Sequence, residues 1–234
     1  MSCKERIRMK IIIGAMRAEL MPLVEKLNGQ KVASSKIEEY YIEKANLVIA
    51  ITGIGPVNAA IGLTYLLTKY HDQKVEYILN IGTCGTLNQN FKIGEVFFID
   101  KALYLTANAT GFGYTFGQIP RMPEFYQSDQ SLIKSFQSQL EKQTIKSCNL
   151  ATSDIFIDSL EVAEFYLKNI KIKIDLVEME SAAFFQTAYN FGIPIVGMKI
   201  ISDIIGHNQS NESQFEQNLA KSAALISQMI PKLL

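Results

Sequence analysis

Apolar runs rich in β-branched residues alternate along this chain with segments whose apolar residues recur at helical spacing. The clearest unit lies between Asp175 and Asp203. An apolar approach ends in Glu178-Met179-Glu180, and a helical pattern follows through Ala182, Ala183, Phe185, Ala188 and Tyr189, stopped by Phe191-Gly192. Ile193 to Ile201 is apolar apart from Lys199, which predicts a buried strand ending on Ser202-Asp203. Upstream, the same alternation predicts a strand over Met9–Gly14 and a helix over Arg17–Leu27, with Pro22 near its start. Paired strands follow over Glu38–Glu43 and Asn46–Thr52, then a helix through Tyr70 and strands over Val75–Ile81 and Glu95–Ile99. Downstream of a long aperiodic stretch, Thr106–Pro123, come an amphipathic helix over Asp129–Lys142, a strand over Lys146–Ala151 and a helix over Glu161–Leu167. A final helix runs from about Asn211, with Gln214 as its capping-box partner and Phe215, Leu219, Ala223, Ile226, Ile230 and Leu233 on its buried face. The Lys168–Lys173 basic patch reads as a solvated edge.

This order, without repeat, linker or low-complexity break, predicts one α/β domain over residues 1–234: three layers around a mainly parallel or mixed sheet. Twenty-three basic and 23 acidic residues give no net charge, so no basic field exists to hold nucleic acid or an anionic membrane. The first apolar run is too short for a signal-peptide core, and no later run approaches a membrane span. Three scattered cysteines, Cys3, Cys84 and Cys148, argue for a reducing compartment; two histidines without close Cys pairs offer no metal-ligand spacing. A soluble cytoplasmic protein is expected.

Candidate chemistry gathers where strands end. Glu19 falls just past the first strand, Glu178 and Glu180 at the start of a helix, and Asp203 at the end of a strand. Carboxylates buried in such places are costly unless paired or used. Taken singly, each also fits a helix-end acid favoured by the macrodipole or a turn-opening residue. Gly53-Ile54-Gly55-Pro56-Val57-Asn58 imitates a dinucleotide fingerprint, but its third position is Asn58 and no acid stands about 20 residues on. The glycines instead suit close backbone approach to a neutral ligand. Gly82-Thr83-Cys84-Gly85-Thr86 reads as a second loop after a strand: either a tight turn or a set of amides and a hydroxyl offered to a ligand. The aromatic stretch Phe112-Gly-Tyr-Thr-Phe-Gly-Gln-Ile-Pro120 suits a self-packed loop or an interface.

In order along the chain stand Gly14-Ala-Met-x-x-Glu19, Gly53-Ile-Gly55, Gly82-Thr-Cys-Gly85, Phe112-Gly-Tyr114 with Gly117-Gln-x-Pro120, Ser153-Asp-x-Phe156-Ile157, Val177-Glu-Met-Glu180 and Ile201-Ser-Asp203. The set resembles the 5′-methylthioadenosine/S-adenosylhomocysteine nucleosidases of the nucleoside phosphorylase and hydrolase superfamily. Each motif alone is weak, and the ordered set is specific. The resemblance implies a three-layer α/β/α sandwich with a twisted, partly closed mixed sheet, a homodimer, a nucleoside substrate and no cofactor or metal. By resemblance, Glu19 positions and activates water, and Asp203, oriented by Ser202, protonates the purine. Met179 and Glu180 hold the ribose, with Glu180 accepting as a carboxylate, and Glu178 and Met16 belong to the same substrate-binding set. Phe156 stacks on adenine while the Ile157 backbone reads its edge. Thr83 and Gly85 line the pocket, and Ile54, with Phe112, Tyr114 and Pro120 of a partner subunit, surrounds the 5′-thio group. Thr83 replaces the usual Ser, Cys84 and Thr86 replace small residues, Lys199 replaces the usual Arg, and the segment after Asp203 is unlike the usual run. Oxocarbenium character on the sugar and negative charge on the base call for a carboxylate-bound water on one face and an acid at the base. A phosphorylase, a non-catalytic nucleoside-binding protein and a nucleosidase for a 6-amino-6-deoxyfutalosine-type substrate are the competing readings.

Overall fold

The computed structural model describes residues 8–140 and 145–234. Cys3 and the final residues expected of the Asp129–Lys142 helix, Glu141 and Lys142, lie outside them. Among the described residues, ten strands form one mixed sheet. Its inner strands are β1 (Met9–Gly14), β4 (Leu47–Ile51), β5 (Val75–Thr86), β6 (Val96–Tyr104), β8 (Lys146–Thr152), β9 (Leu176–Glu178) and β10 (Ile195–Ile204). β3 (Glu38–Ile42) and the two-residue strands β2 (Gln30–Lys31) and β7 (Tyr126–Gln127) extend its edges. β1, β4, β5 and β10 run parallel, as expected of strands joined through helices. β5 also pairs antiparallel with β9, and the path β5-β10-β6-β8-β9 returns to β5. Half of the sheet is therefore a closed five-stranded ring, in line with the expected partly closed sheet.

Side chains alternate across this sheet with the strand period of two. Ile11 and Ile13 of β1 face one layer with α2 (Pro56–Lys69) and α5 (Ser181–Phe191); Ile12 faces the other with α1 (Arg17–Lys26), α3 (Gln130–Gln139) and α6 (Asn211–Met229). Each fully buried side chain of this kind, such as Leu23, Phe98 or Phe184, contributes roughly 1.5–3 kcal/mol of burial. A smaller cluster joins α4 (Leu160–Leu167) to the ends of β6, β8 and β9. Helices thus cover both sheet faces. Among the described residues no helix is long and apolar enough to cross a membrane.

Three expectations need correction, all near the ends of strands. Gly82–Thr86 is no loop: it continues β5, with Gly82 and Gly85 pairing to Lys199 and Asp203. The glycines there make room. A Cβ on Gly85 would meet Asp203 Oδ2 at 2.8 Å, and one on Gly82 would meet Glu19 Oε1 at 3.2 Å and Lys199 Nζ at 3.3 Å. Next, Asp203 does not open a turn, and β10 ends one residue past the expected Ser202-Asp203. It runs to Ile204 with a bulge between Ile201 and Asp203, so Asp203 is a strand residue. Ser202 is the extra residue, and such bulges re-aim side chains. Third, α6 is capped by Ser210, which accepts from the Ser213 amide; Gln214 is occupied elsewhere and forms no capping box.

Candidate active site

A cavity of about 210 Å³ opens where the C-terminal ends of β1, β5 and β10 meet the β8–α4 and β9–α5 connections. Both acids, Glu19 and Asp203, line it. Met16, Ile54, Thr83 and Gly85 line it from the first half of the chain; Phe156, Ile157, Glu178, Met179, Glu180 and Ser202 do so from the second. Phe112, Tyr114 and Pro120 do not. Phe112 is 87% exposed, and Tyr114 borders a separate hollow beside Asn169 and Lys171.

Glu19 sits in the first turn of α1, where the chain leaves β1 at Gly14. It is 3% exposed, so it is not the solvated helix-end acid that its position alone allowed. Its Oε1 accepts from both the Thr83 amide and the Thr83 hydroxyl at 2.7 Å. Among the described residues its Oε2 receives no protein hydrogen bond, leaving one oxygen for a ligand or a water. Thr83 supplies the hydroxyl here.

Glu178 and Glu180 flank Met179 at the entry to α5, yet they have different environments. Glu178 is saturated. Its oxygens accept from the Thr152 hydroxyl at 2.5 Å, the Glu180 and Ser181 amides, the Ser181 hydroxyl and Lys199 Nζ at 2.9 Å. Burial pushes its carboxyl up, but Lys199, the Thr152 hydroxyl and the Ser181 amide outweigh that and hold it below the usual range. The carboxylate is an anchor for the α5 N-terminus and has no free acceptor for a substrate. Among the described residues the Glu180 carboxyl instead makes one bond, accepting from the Gly55 amide at 2.8 Å. Burial, and then the neighbouring Glu178 charge, push its carboxyl up to about 8. Its carboxyl is thus biased toward the protonated form. The Gly53–Gly55 segment spends its amide on this carboxyl and not on a phosphate.

Lys199 is a buried cation on β10. Burial opposes its charge, but Glu178, Glu180 and Glu19 together raise its pKa. Its pairing to Glu178 is nearly dry, with side chains 3% and 5% exposed. The sequence marks it as a lone charge in an apolar strand, which was the available signal for a site residue.

Glu180 gives a prediction. Its pKa is raised from 4.5 in the unfolded chain to about 8 when folded. Between those values the folded state binds a proton that the unfolded state has lost, so stability falls as pH rises. Thermal unfolding midpoints of the ligand-free protein should decline across that window, and Glu180→Gln should flatten the decline. A Glu180→Gln profile parallel to wild type would contradict this.

Asp203 also lines the cavity and is 2% exposed. Oδ1 accepts from the Ser202 hydroxyl at 2.7 Å, and Oδ2 accepts from Asn211 Nδ2 at 2.6 Å. Burial raises its pKa, the two donors pull it back and Glu212 raises it further; the net direction is up. A carboxyl biased toward its protonated form and facing a cavity can serve as a proton donor. Phe156 and Ile157 come from the loop after β8, and Phe215 of α6 also lines the cavity. The helical period had assigned Phe215 to the core, and nothing in the spacing distinguished a cavity wall from a packed one. Among the described residues no group of three or more His, Cys, Asp or Glu could hold a metal ion.

The model of the phosphorylase superfamily matches residues 10–234. The 5′-methylthioadenosine/S-adenosylhomocysteine nucleosidase of Staphylococcus epidermidis is 36% identical over 227 residues, covering 95% of this chain and 97% of its own length. Among solved structures, the enzyme of that name from Neisseria meningitidis, in complex with methylthio-immucillin-A, is 26% identical with a TM-score of 0.86, over 97% of this chain and 98% of that one. A futalosine hydrolase mutant of Helicobacter pylori, 23% identical over 97% of this chain and 98% of that one, shares the fold with a TM-score of 0.87.

Proposed function

Because the chain belongs to the 5′-methylthioadenosine/S-adenosylhomocysteine nucleosidase family of the phosphorylase superfamily, we propose that its cavity cleaves the N-glycosidic bond of those two nucleosides with water, releasing adenine and the thioribose product. It is an N-glycosidic hydrolase. The observation that carries the assignment of roles is the pair of acids lining one cavity, Glu19 with an oxygen that receives no protein hydrogen bond among the described residues and Asp203 with a raised pKa. In this reading Phe156 stacks on the adenine, the Ile157 backbone meets its edge and Met179 packs on the ribose. Glu180 accepts from the ribose hydroxyls as a carboxylate, and its charge faces the positive charge that grows on the sugar. Glu19 orients and deprotonates the water; Asp203, held by Ser202, protonates N7 of the base. Glu178 acts through the α5 N-terminus and Lys199. Apolar walls exclude competing water.

A phosphorylase would need cations around a phosphate. Among the described residues the cavity's one lining cation, Lys199, is already bound to Glu178, and a phosphate there would face Glu19, Glu178 and Glu180. Arg17 points away, paired to Glu38 at the surface. Adenine release from methylthioadenosine should therefore be independent of phosphate and yield the free sugar. Release that requires phosphate would favour the phosphorylase, tight binding without release a nucleoside-binding protein, and turnover restricted to a 6-amino-6-deoxyfutalosine-type nucleoside the fourth reading. All described elements hang on one sheet, which supports reading residues 1–234 as one nucleosidase domain. The described cysteines, Cys84 and Cys148, are buried free thiols, in keeping with a reducing cytoplasm.

The homodimer belongs to the same proposal. Ile54, Val57 and Ile61 lie exposed on and just before α2, and Phe112 is exposed on the aromatic loop. An apolar surface of that extent suits an interface. In a dimer the loop holding Phe112, Tyr114 and Pro120 would complete the partner's pocket at the thio end. Light scattering should give a dimer, and replacing Phe112 and Tyr114 by Ala should weaken binding of the thio end more than the base end. A fully active monomer would refute it.

A further inference from the structure

Three carboxamide side chains on α6 face the strand end that bears Asp203. Asn211, Gln214 and Asn218 are spaced three and four residues apart, so they share one helix face. Asn211 Nδ2 donates to Asp203 Oδ2 at 2.6 Å. Gln214 grips Ile204 twice, accepting from its amide at 3.1 Å and donating to its carbonyl at 3.2 Å. Asn218 Nδ2 donates to the Ser202 carbonyl at 3.2 Å. Asn211 and Gln214 are each only 2% exposed, so water does not compete for these bonds. Every residue of the bulged end of β10, from Ser202 to Ile204, is thus tied to one helix face by an uncharged amide.

We propose that this carboxamide face of α6 sets the orientation of the acid, with Asn211 as its positioning residue. The choice of residue type matters. A lysine or arginine at Asn211 would hold Asp203 ionised and unable to donate a proton. An amide fixes the direction of the carboxyl through one short bond while stabilising its charge far less. Ser202 holds the other oxygen from within the strand, so the carboxyl plane is defined from two sides. Among the described residues, Glu212 on α6 is the charged group that raises the Asp203 pKa, while the Cys84 thiol on β5 is itself pushed up by burial and stays uncharged beside it. Glu212 disfavours the ionised form, and Asn211 works against it.

The proposal rests on Asp203 being the acid toward the base. The test reads two quantities so that this premise and the role of Asn211 stand or fall separately. Carbon-13 NMR of the aspartate carboxyls in the ligand-free protein gives the Asp203 pKa whether or not the chain turns over nucleoside. Losing the Asn211 donor disfavours the carboxylate, so Asn211→Ala should raise that pKa by roughly 0.5–1 unit. Asn211→Asp, nearly the same in volume, places a second carboxyl beside the first and should raise it further; it also gives the reading should the alanine variant not fold. In turnover, kcat should fall at least roughly tenfold with KM little changed, and the alkaline limb of the kcat profile should move up with the NMR pKa. A role in packing alone would lower Tm and leave pKa and limb in place. An Asp203 pKa unchanged in both variants overturns the proposal. No adenine release by the wild type, with the NMR shift present, overturns the acid role and leaves the positioning intact.

Discussion

Asp203→Asn should lower kcat by at least about a hundredfold, the lower end for loss of a positioned general acid, while the melting temperature stays within a few degrees of wild type. The geometry explains why the fold survives. An asparagine side chain can keep its oxygen toward Asn211 Nδ2 and turn its amine toward the Ser202 hydroxyl. That hydroxyl can then accept from the amine while donating to the Cys84 carbonyl, which already lies 3.2 Å away. Every buried partner stays satisfied, so the change removes the proton donor and little else. Adenine leaves poorly as an anion, and with the acid gone the base must depart unprotonated or draw its proton from solvent that the apolar walls exclude. The same carboxyl can donate to N7 while accepting from the exocyclic amine, so the variant should also lose preference for adenine over hypoxanthine. Measuring kcat beside Tm decides it: activity within a fewfold of wild type would retire Asp203 as the acid.

Glu19→Gln should cost a comparable factor, roughly 10²–10⁴ in kcat, yet leave binding of a non-hydrolysable adenosine analogue nearly intact. A glutamine oxygen in place of Oε1 can still accept from the Thr83 amide and hydroxyl. What changes is the second position, which faces the cavity as an N–H donor and can no longer draw a proton from water. The loss therefore belongs to the attacking nucleophile and not to the grip on the nucleoside. Calorimetry with the analogue separates these, since an affinity loss as large as the rate loss would make Glu19 a binding residue.

Legibility in the sequence followed the physics of each signal. The long strands and helices were readable because apolar side chains repeat at the sheet or helix period, and α1, α2, α5 and β8 fall within a residue or two of their expected bounds. β2 and β7 are two residues long and carry no period at all. The Gly82–Thr86 error has a different origin. Glycine usually interrupts strands, but here its missing side chain admits Glu19, Lys199 and Asp203 against the strand, a requirement set by distant residues. The acids themselves stood out as carboxylates at strand ends within an ordered series of motifs. Asn211, Gln214 and Asn218 did not. A polar stripe on a terminal helix reads as a solvated face, and only the folded arrangement turns it inward onto Ser202, Asp203 and Ile204.

The closed ring of strands bears on how molecules come and go. β5 is bonded on both flanks at Gly85, to Asp203 on one side and Val177 on the other. The floor of the cavity therefore has no free edge along which to part, and its amides belong among the slowest to exchange with deuterium. The rim includes the Asp154–Ser159 stretch carrying the Phe156 ring, which belongs to no strand of the ring. Substitutions in that stretch should therefore change how long a ligand stays in the cavity while leaving the ring, and the Asp203 carboxyl on it, in place.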